Sequence, residues 1–137
     1  MFKIIHTTQM DKKIFSAAGF FGLSAIILGA FGAHALKKIL TVDQLVSFEI
    51  GVKYQMYHAL FLLFLGLNHQ IPVKIKKTIF LFVLGGITFF SGSIYLLSTT
   101  TITNVNFKSI GFVTPIGGLL LIVAWAILML HFLKKKG

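Results

Sequence analysis

The sequence predicts an all-α integral membrane protein, a four-helix bundle with both termini cytoplasmic. Three observations carry this expectation. Four apolar stretches, residues 14–36, 54–67, 78–97 and 110–133, fill most of the 137 residues. Each is near the roughly 20 residues that a helix rising about 1.5 Å per residue needs to cross a ~30 Å hydrocarbon layer. The second stretch is the shortest and needs its polar flanks, so the expected spans are 14–36, 52–70, 76–98 and 109–133 of a single domain, 1–137. Composition agrees: 56% of residues are hydrophobic and mean hydropathy is +0.91, more than a soluble core requires.

The third observation is the placement of charge. The net charge is +10, and all thirteen basic residues are lysines. Lys3, Lys12 and Lys13 precede the first span, Lys74, Lys76 and Lys77 separate the second and third, and Lys134, Lys135 and Lys136 follow the fourth. The other two connections hold only Lys37, Lys38, Lys53 and Lys108, diluted by Asp43 and Glu49. Lysine accumulates in cytoplasmic loops, so the termini and the middle loop are expected inside the cell membrane. The same clusters attract anionic lipid headgroups on that side. A nucleic-acid surface would want arginine and exposed aromatics on one face, so nucleic acid is not an expected partner.

The elements follow in order. Lys12-Lys13, an apolar run and Gly32-Ala33-His34-Ala35 imitate the three parts of a signal peptide. The run is too long for one and carries glycine at packing spacing, so it is read as a retained first span. Segment 41–53 follows. Thr41 or Asp43 can cap a helix there, and Leu45, Val46, Phe48 and Ile50 alternate with polar positions, which suggests an interfacial helical lead-in to the second span. Asn68-His69-Gln70-Ile71-Pro72 is a turn, closed by a proline that cannot continue a helix. The threonine run 99–104 is β-branched and polar, and is expected as a non-helical connection. Thr114-Pro115 opens the fourth span. Phe31-Gly32-Ala33 and Ser91-Gly92-Ser93 end the first and third spans alike, hinting at a duplicated hairpin.

Helices in lipid gain little by burying apolar surface against each other, so close packing relies on small residues. Ala18, Gly22, Ala25, Gly29 and Gly32 repeat at alternating spacings of three and four and form one seam. Gly85 and Gly92 on the third span, with Gly117 and Gly118 on the fourth, are further approach points. None of these glycines forms a phosphate loop.

With this topology the polar residues converge on the outer half. His34 ends the first span, Tyr54, Gln55 and His58 open the second, Ser91, Ser93 and Tyr95 end the third, and Thr114 opens the fourth. A polar side chain in lipid needs a partner or water, so these eight residues are the candidate binding cluster, a shared network or a small wet pocket. The inner half is nearly all Phe, Leu, Ile and Val, with Trp125 the exception. Plainer readings stand beside the functional one. His34 can be interfacial, the tyrosines can belong to an aromatic belt, and the hydroxyls can bond their own backbone carbonyls. His6, His69 and His131 lie in polar segments of the lysine-rich side and carry no assigned role.

Gly29-Ala30-Phe31-Gly32-Ala33-His34-Ala35-Leu36, Gly51-Val52-Lys53-Tyr54-Gln55-Met56-Tyr57-His58-Ala59-Leu60, Phe90-Ser91-Gly92-Ser93-Ile94-Tyr95 and Thr114-Pro115-Ile116-Gly117-Gly118 with Trp125 together resemble the family called domain of unknown function 423. These are small bacterial multi-pass membrane proteins, similar to eukaryotic transmembrane protein 256. The resemblance implies four transmembrane helices in the cytoplasmic membrane, and it transfers no activity to any residue.

Three function classes stay open. A binding or accessory module would use the outer cluster for a lipid headgroup, a small neutral solute or a partner helix, including a second copy of the chain. A small-solute or ion transporter or channel component is the alternative. Carriers usually keep an acidic residue at depth, whereas Asp11, Asp43 and Glu49 lie outside the apolar stretches, leaving His58 as the one titratable candidate. Enzymatic or redox chemistry is the third class. His34 and His58 at matched depth could ligate a haem or metal, but no carboxylate completes a metal site, and the chain has no cysteine. No Ser/His/Asp set or carboxylate pair is evident either, so neither metal, cofactor nor enzymatic activity is expected.

Overall fold

The computed structural model describes residues 6–135. Lys3 and Lys136, counted among the lysine clusters, lie outside the described residues. Thr8 starts helix α1 (Gln9–His34) with a capping box. Its hydroxyl accepts the Asp11 N–H, and the Asp11 carboxylate accepts the Thr8 N–H, each at 3.0 Å. Two otherwise orphaned donors are satisfied this way. After a 3-10 turn at Leu36–Lys38, Thr41 and Gln44 form the same box at the head of α2 (Val42–Leu67). α3 is Val73–Ser98, α4 is the single turn Thr100–Thr103, and α5 is Val113–Lys134. The four long helices are each long and apolar enough to cross a membrane.

Two features depart from expectation. The lead-in at 41–53 and the second span form one uninterrupted helix of 26 residues, about 39 Å long. Tyr54, Gln55 and His58 therefore stand near the middle of that helix. The threonine run also contains a helical turn. Its hydroxyls bond backward, Thr99 Oγ1 donating to Tyr95 O at 2.7 Å and Thr103 Oγ1 to Thr99 O at 3.3 Å. Asn104, at φ 54°, then ends the turn in the left-handed region that asparagine tolerates.

Successive helices run antiparallel and pack in chain order: α1 along α2, α2 on α3, α3 along α5. No comparable contact joins α1 to α5, so the bundle stays open on that side. The α1–α2 seam is built on small residues. A Cβ at Gly22 would lie 3.8 Å from Ala59, one at Gly29 3.3 Å from Val52, and one at Gly32 3.1 Å from the Phe48 ring; Ala18 and Ala25 are buried between. In the α3–α5 seam Gly117 abuts the backbone of Phe89 and Phe90, and Gly85 and Gly86 approach Leu120 and Leu121. Gly92 is a correction: a Cβ there would meet nothing within 4 Å. Ser91 and Ser93 take the inward positions on either side of it. Gly32 and Gly92 are thus unlike in packing, whatever their similarity in sequence.

This topology separates the charges. Lys12, Lys13, Lys74, Lys77, Lys134 and Lys135 are exposed at the end that holds both termini, called the inner end below. Lys37, Lys38, Lys53 and Lys108 are exposed toward the other end, with Asp43 and Glu49. Lys76 is buried.

Candidate functional site

The eight candidate residues do not pool into one cluster. The structure divides them into separate hydrogen-bonded links between helices, two of them at mid-bundle, and His34 joins none of these. Gln55 is the hub of the first. It is 4% exposed, and its amide nitrogen donates to Phe21 O at 3.0 Å and to Ser24 Oγ at 2.7 Å on α1. Its amide oxygen accepts the Tyr95 hydroxyl of α3 at 2.6 Å. Side chains lean toward their own helix N-terminus, and α2 and α3 are antiparallel, so Gln55 and Tyr95 reach toward each other. One amide thereby ties three helices. Removing only the Tyr95 hydroxyl, as Tyr95→Phe, leaves the Gln55 oxygen without that donor. It should cost roughly 1 kcal/mol, the scale of an interhelical hydrogen bond in a membrane protein. Thermal unfolding in detergent against wild type checks this.

His58 forms the second pair. Its Nδ1 lies 2.7 Å from Tyr54 O, an oxygen that can only accept, so Nδ1 carries the proton. Nε2 then accepts the indole N–H of Trp125 at 3.1 Å. The ring is neutral with both nitrogens used, an arrangement that leaves no lone pair for a metal. His58 stands nine residues before the end of α2 and Trp125 nine before the end of α5, each about 14 Å along its helix. Trp125 was expected apart from the cluster; equal depth instead makes it the partner of His58. Beside this bond the faces of α2, α3 and α5 enclose a groove of about 460 Å³, lined by Tyr54, His58, Phe90, Gly118, Leu121, Ile122 and Trp125. The Phe61 ring backs Trp125 at 4.5 Å between centroids, and Tyr54 packs on Phe90 at 4.9 Å.

The remaining candidates lie apart from these two pairs. Ser91 Oγ donates to Gly51 O at 2.7 Å, joining α3 to α2 at a point where Gly51 also admits the Tyr95 ring. Ser93 and Thr114 share a hydroxyl contact of 2.5 Å between α3 and α5. Tyr54, 42% exposed, gives the site its backbone oxygen and stands at the groove's rim. His34 is exposed in the last turn of α1, beside Lys37 and Lys38, and does not meet His58. No group of three or more metal-ligating side chains gathers among the described residues.

At the inner end the structure reveals a site that sequence reasoning missed. Asp11 lies inside α1, 1% exposed, and Lys76 inside α3, 2% exposed. Lys76 Nζ sits 2.6 Å from Asp11 Oδ1 and donates to Gly66 O at 3.2 Å. The Gly66 carbonyl belongs to the last turn of α2, where helical acceptors run out of partners. One ammonium thus closes three helix ends, beneath a fully buried layer that includes Ile14, Leu62, Leu65 and Ile79. Asp11, expected outside the spans, is buried in the first turn of α1, and Lys76, counted with the lysines between the second and third spans, is buried in the first turn of α3. Two signals were available. Thr8 followed three residues later by Asp11 is a capping signature, and Lys76, Ile79, Val83 and Gly86 recur on one helical face. Ser24 was also passed over, a lone hydroxyl mid-span.

Comparison with known proteins agrees with this architecture. The family described as "Protein of unknown function (DUF423)" matches residues 28–118. A UPF0382 membrane protein of Staphylococcus epidermidis is 39% identical over 118 residues, covering 84% of this chain and 90% of the relative. The UPF0382 membrane protein YwdK of Bacillus subtilis is 35% identical over 114 residues, 82% and 89% of the two chains. The UPF0382 inner membrane protein YgdD of Escherichia coli is 33% identical over 135 residues, 95% and 96%. No solved structure matches. The relatives carry no assigned activity in their names, and the segment matched by the family holds Gln55, His58 and Tyr95 but neither Asp11 nor Trp125. With a family match over most of the chain and relatives aligned nearly end to end, the protein belongs to DUF423, a family of membrane proteins of unknown function.

Proposed function

We propose that this is a multi-pass protein of the cell membrane, with both termini cytoplasmic, that works as a binding module for a neutral, partly apolar molecule taken from the lipid phase. The observation that carries the reading is the groove at Tyr54, His58 and Trp125. Its walls are aromatic and aliphatic, and its one imidazole is held neutral by two hydrogen bonds. A site of that size with apolar walls and few placed polar groups has the character of a small-molecule pocket. A charged ligand would find no counter-ion there. Lysine excess at the inner end supports the orientation, and membrane relatives, one from an inner membrane, support the location.

Trp125 is the chain's single tryptophan, so its fluorescence reports the groove directly. Mild extraction should yield one small molecule bound to the wild type and detected by mass spectrometry. Its removal should shift Trp125 emission. Gly118→Leu, which places a side chain in the groove, should yield protein without that molecule. An empty wild-type groove after extraction from native membranes, or equal retention by Gly118→Leu, would refute the reading.

Transport is the second reading, and one observation favours it: an ionisable pair buried between helices, the kind of group that marks ion pathways in membranes. Solute or proton flux in liposomes that is lost in Asp11→Asn but retained in Gly118→Leu would put transport ahead of binding.

A further inference from the structure

We propose that the inner end of the protein holds the headgroup of an anionic phospholipid in the cleft between the start of α3 and the end of α5. This site is separate from the mid-bundle groove and does not depend on it. The cleft has a volume of about 530 Å³. Ile75, Ile127 and Leu130 form its apolar side; His131, Lys134 and Lys135 form its polar rim.

Three independent features make this rim an anion acceptor. First, His131 Nε2 is buried and finds no hydrogen-bond partner among the described residues. Buried polar atoms are normally paired, so a turn of this ring, which lines the cleft, would bring the nitrogen to a phosphate oxygen and gain it a hydrogen bond. Second, Lys134 and Lys135 are exposed there, and Lys135 Nζ donates to Gln70 Oε1 at 2.8 Å. That bond fixes one ammonium across the cleft and leaves its other protons to donate. Third, α3 begins at Pro72 without a side-chain cap, and the first N–H to find a helical acceptor is that of Lys76. The earlier amides of Val73, Lys74 and Ile75 therefore sit uncapped at the positive end of a helix, where phosphate groups bind. Among the described residues no carboxylate lines the cleft. The floor selects between sources of phosphate. A free anion gains nothing from Ile75, Ile127 and Leu130, whereas a phospholipid lays its glycerol and upper acyl chain there while its phosphodiester meets the rim.

The test uses full-length protein delipidated in neutral detergent, with native mass spectrometry after addition of phosphatidylglycerol, phosphatidylcholine or inorganic phosphate. Wild type should retain phosphatidylglycerol over phosphatidylcholine by roughly tenfold or more, as two positioned lysines supply. Lys134→Gln/Lys135→Gln should lose that preference, and His131→Ala should weaken it. Lys12→Gln/Lys13→Gln removes the same charge from the same end without touching the cleft, and should keep the preference. Equal retention of both lipids overturns the proposal. So does an equal loss in the two double variants, which would mean diffuse attraction, or displacement of the lipid by millimolar phosphate.

Discussion

Lys76→Met should be among the most destabilising single changes in this protein, at about 3–5 kcal/mol. The substitution keeps the length and apolar stem of the side chain and removes only the ammonium. Asp11 is then left ionised and buried, and the Gly66 carbonyl loses its donor. An unpaired buried charge costs far more than the pair itself contributes, because the desolvation already incurred is no longer offset. That asymmetry gives the prediction its internal control. Asp11→Asn/Lys76→Met removes both charges, while the asparagine oxygen can still accept the Thr8 N–H that caps α1. The double variant should therefore be more stable than Lys76→Met alone. Lys12→Met, an exposed neighbour, should match wild type. Thermal unfolding in detergent ranks the three. Cleavage in the 68–72 connection by a soluble protease should rise in Lys76→Met, because the pair holds both helices that flank it. Should Lys76→Met unfold with Lys12→Met, the pair carries no structural load.

The number, order and approximate positions of the long helices were legible because hydrocarbon thickness imposes a length on apolar sequence, and nothing else in the chain competes with that signal. The stripe of Gly22, Gly29 and Gly32 was legible as a packing seam for the same reason, small residues at helical spacing having one good use in lipid, but its partner, α2, was not. Composition misled where tertiary partners decide. Lys76 reads as a loop lysine beside Lys74 and Lys77, and only the carboxylate 65 positions earlier makes its burial tolerable. Asp43, Glu49 and Lys53 made residues 41–53 read as an interfacial lead-in, with His58 just inside the second span. α2 carries those groups on its exposed surface and continues unbroken. The candidate residues group differently in space than their common side of the bundle suggested. Gln55 finds Tyr95 through side-chain lean across antiparallel helices, and His58 finds Trp125 through equal depth on parallel ones, neither of which a one-dimensional pattern displays.

Gly117→Ala should separate α3 from α5 and cost about 3 kcal/mol, at the upper end of what overpacking usually exacts. A methyl group there would run into the backbone of Phe89 and Phe90, and a backbone cannot turn aside as a side-chain tip can. The intrinsic preference for alanine over glycine inside a helix, about 1 kcal/mol, works in the opposite direction and is not enough to rescue it. Its neighbour separates the two effects. A Cβ at Gly118 meets the Phe90 ring at 3.6 Å, an ordinary contact, and one at Gly19 meets nothing. Gly118→Ala and Gly19→Ala should therefore equal or exceed wild type in thermal stability, while Gly117→Ala falls well below it. The damage should also reach the groove. Phe90 packs on Tyr54 and lines the cavity with Trp125, so pushing its backbone away widens the space around the indole. Trp125 emission should shift in Gly117→Ala at temperatures below its unfolding, and stay in place in Gly19→Ala. A stability loss without that shift would mean that the α3–α5 seam and the groove are mechanically independent.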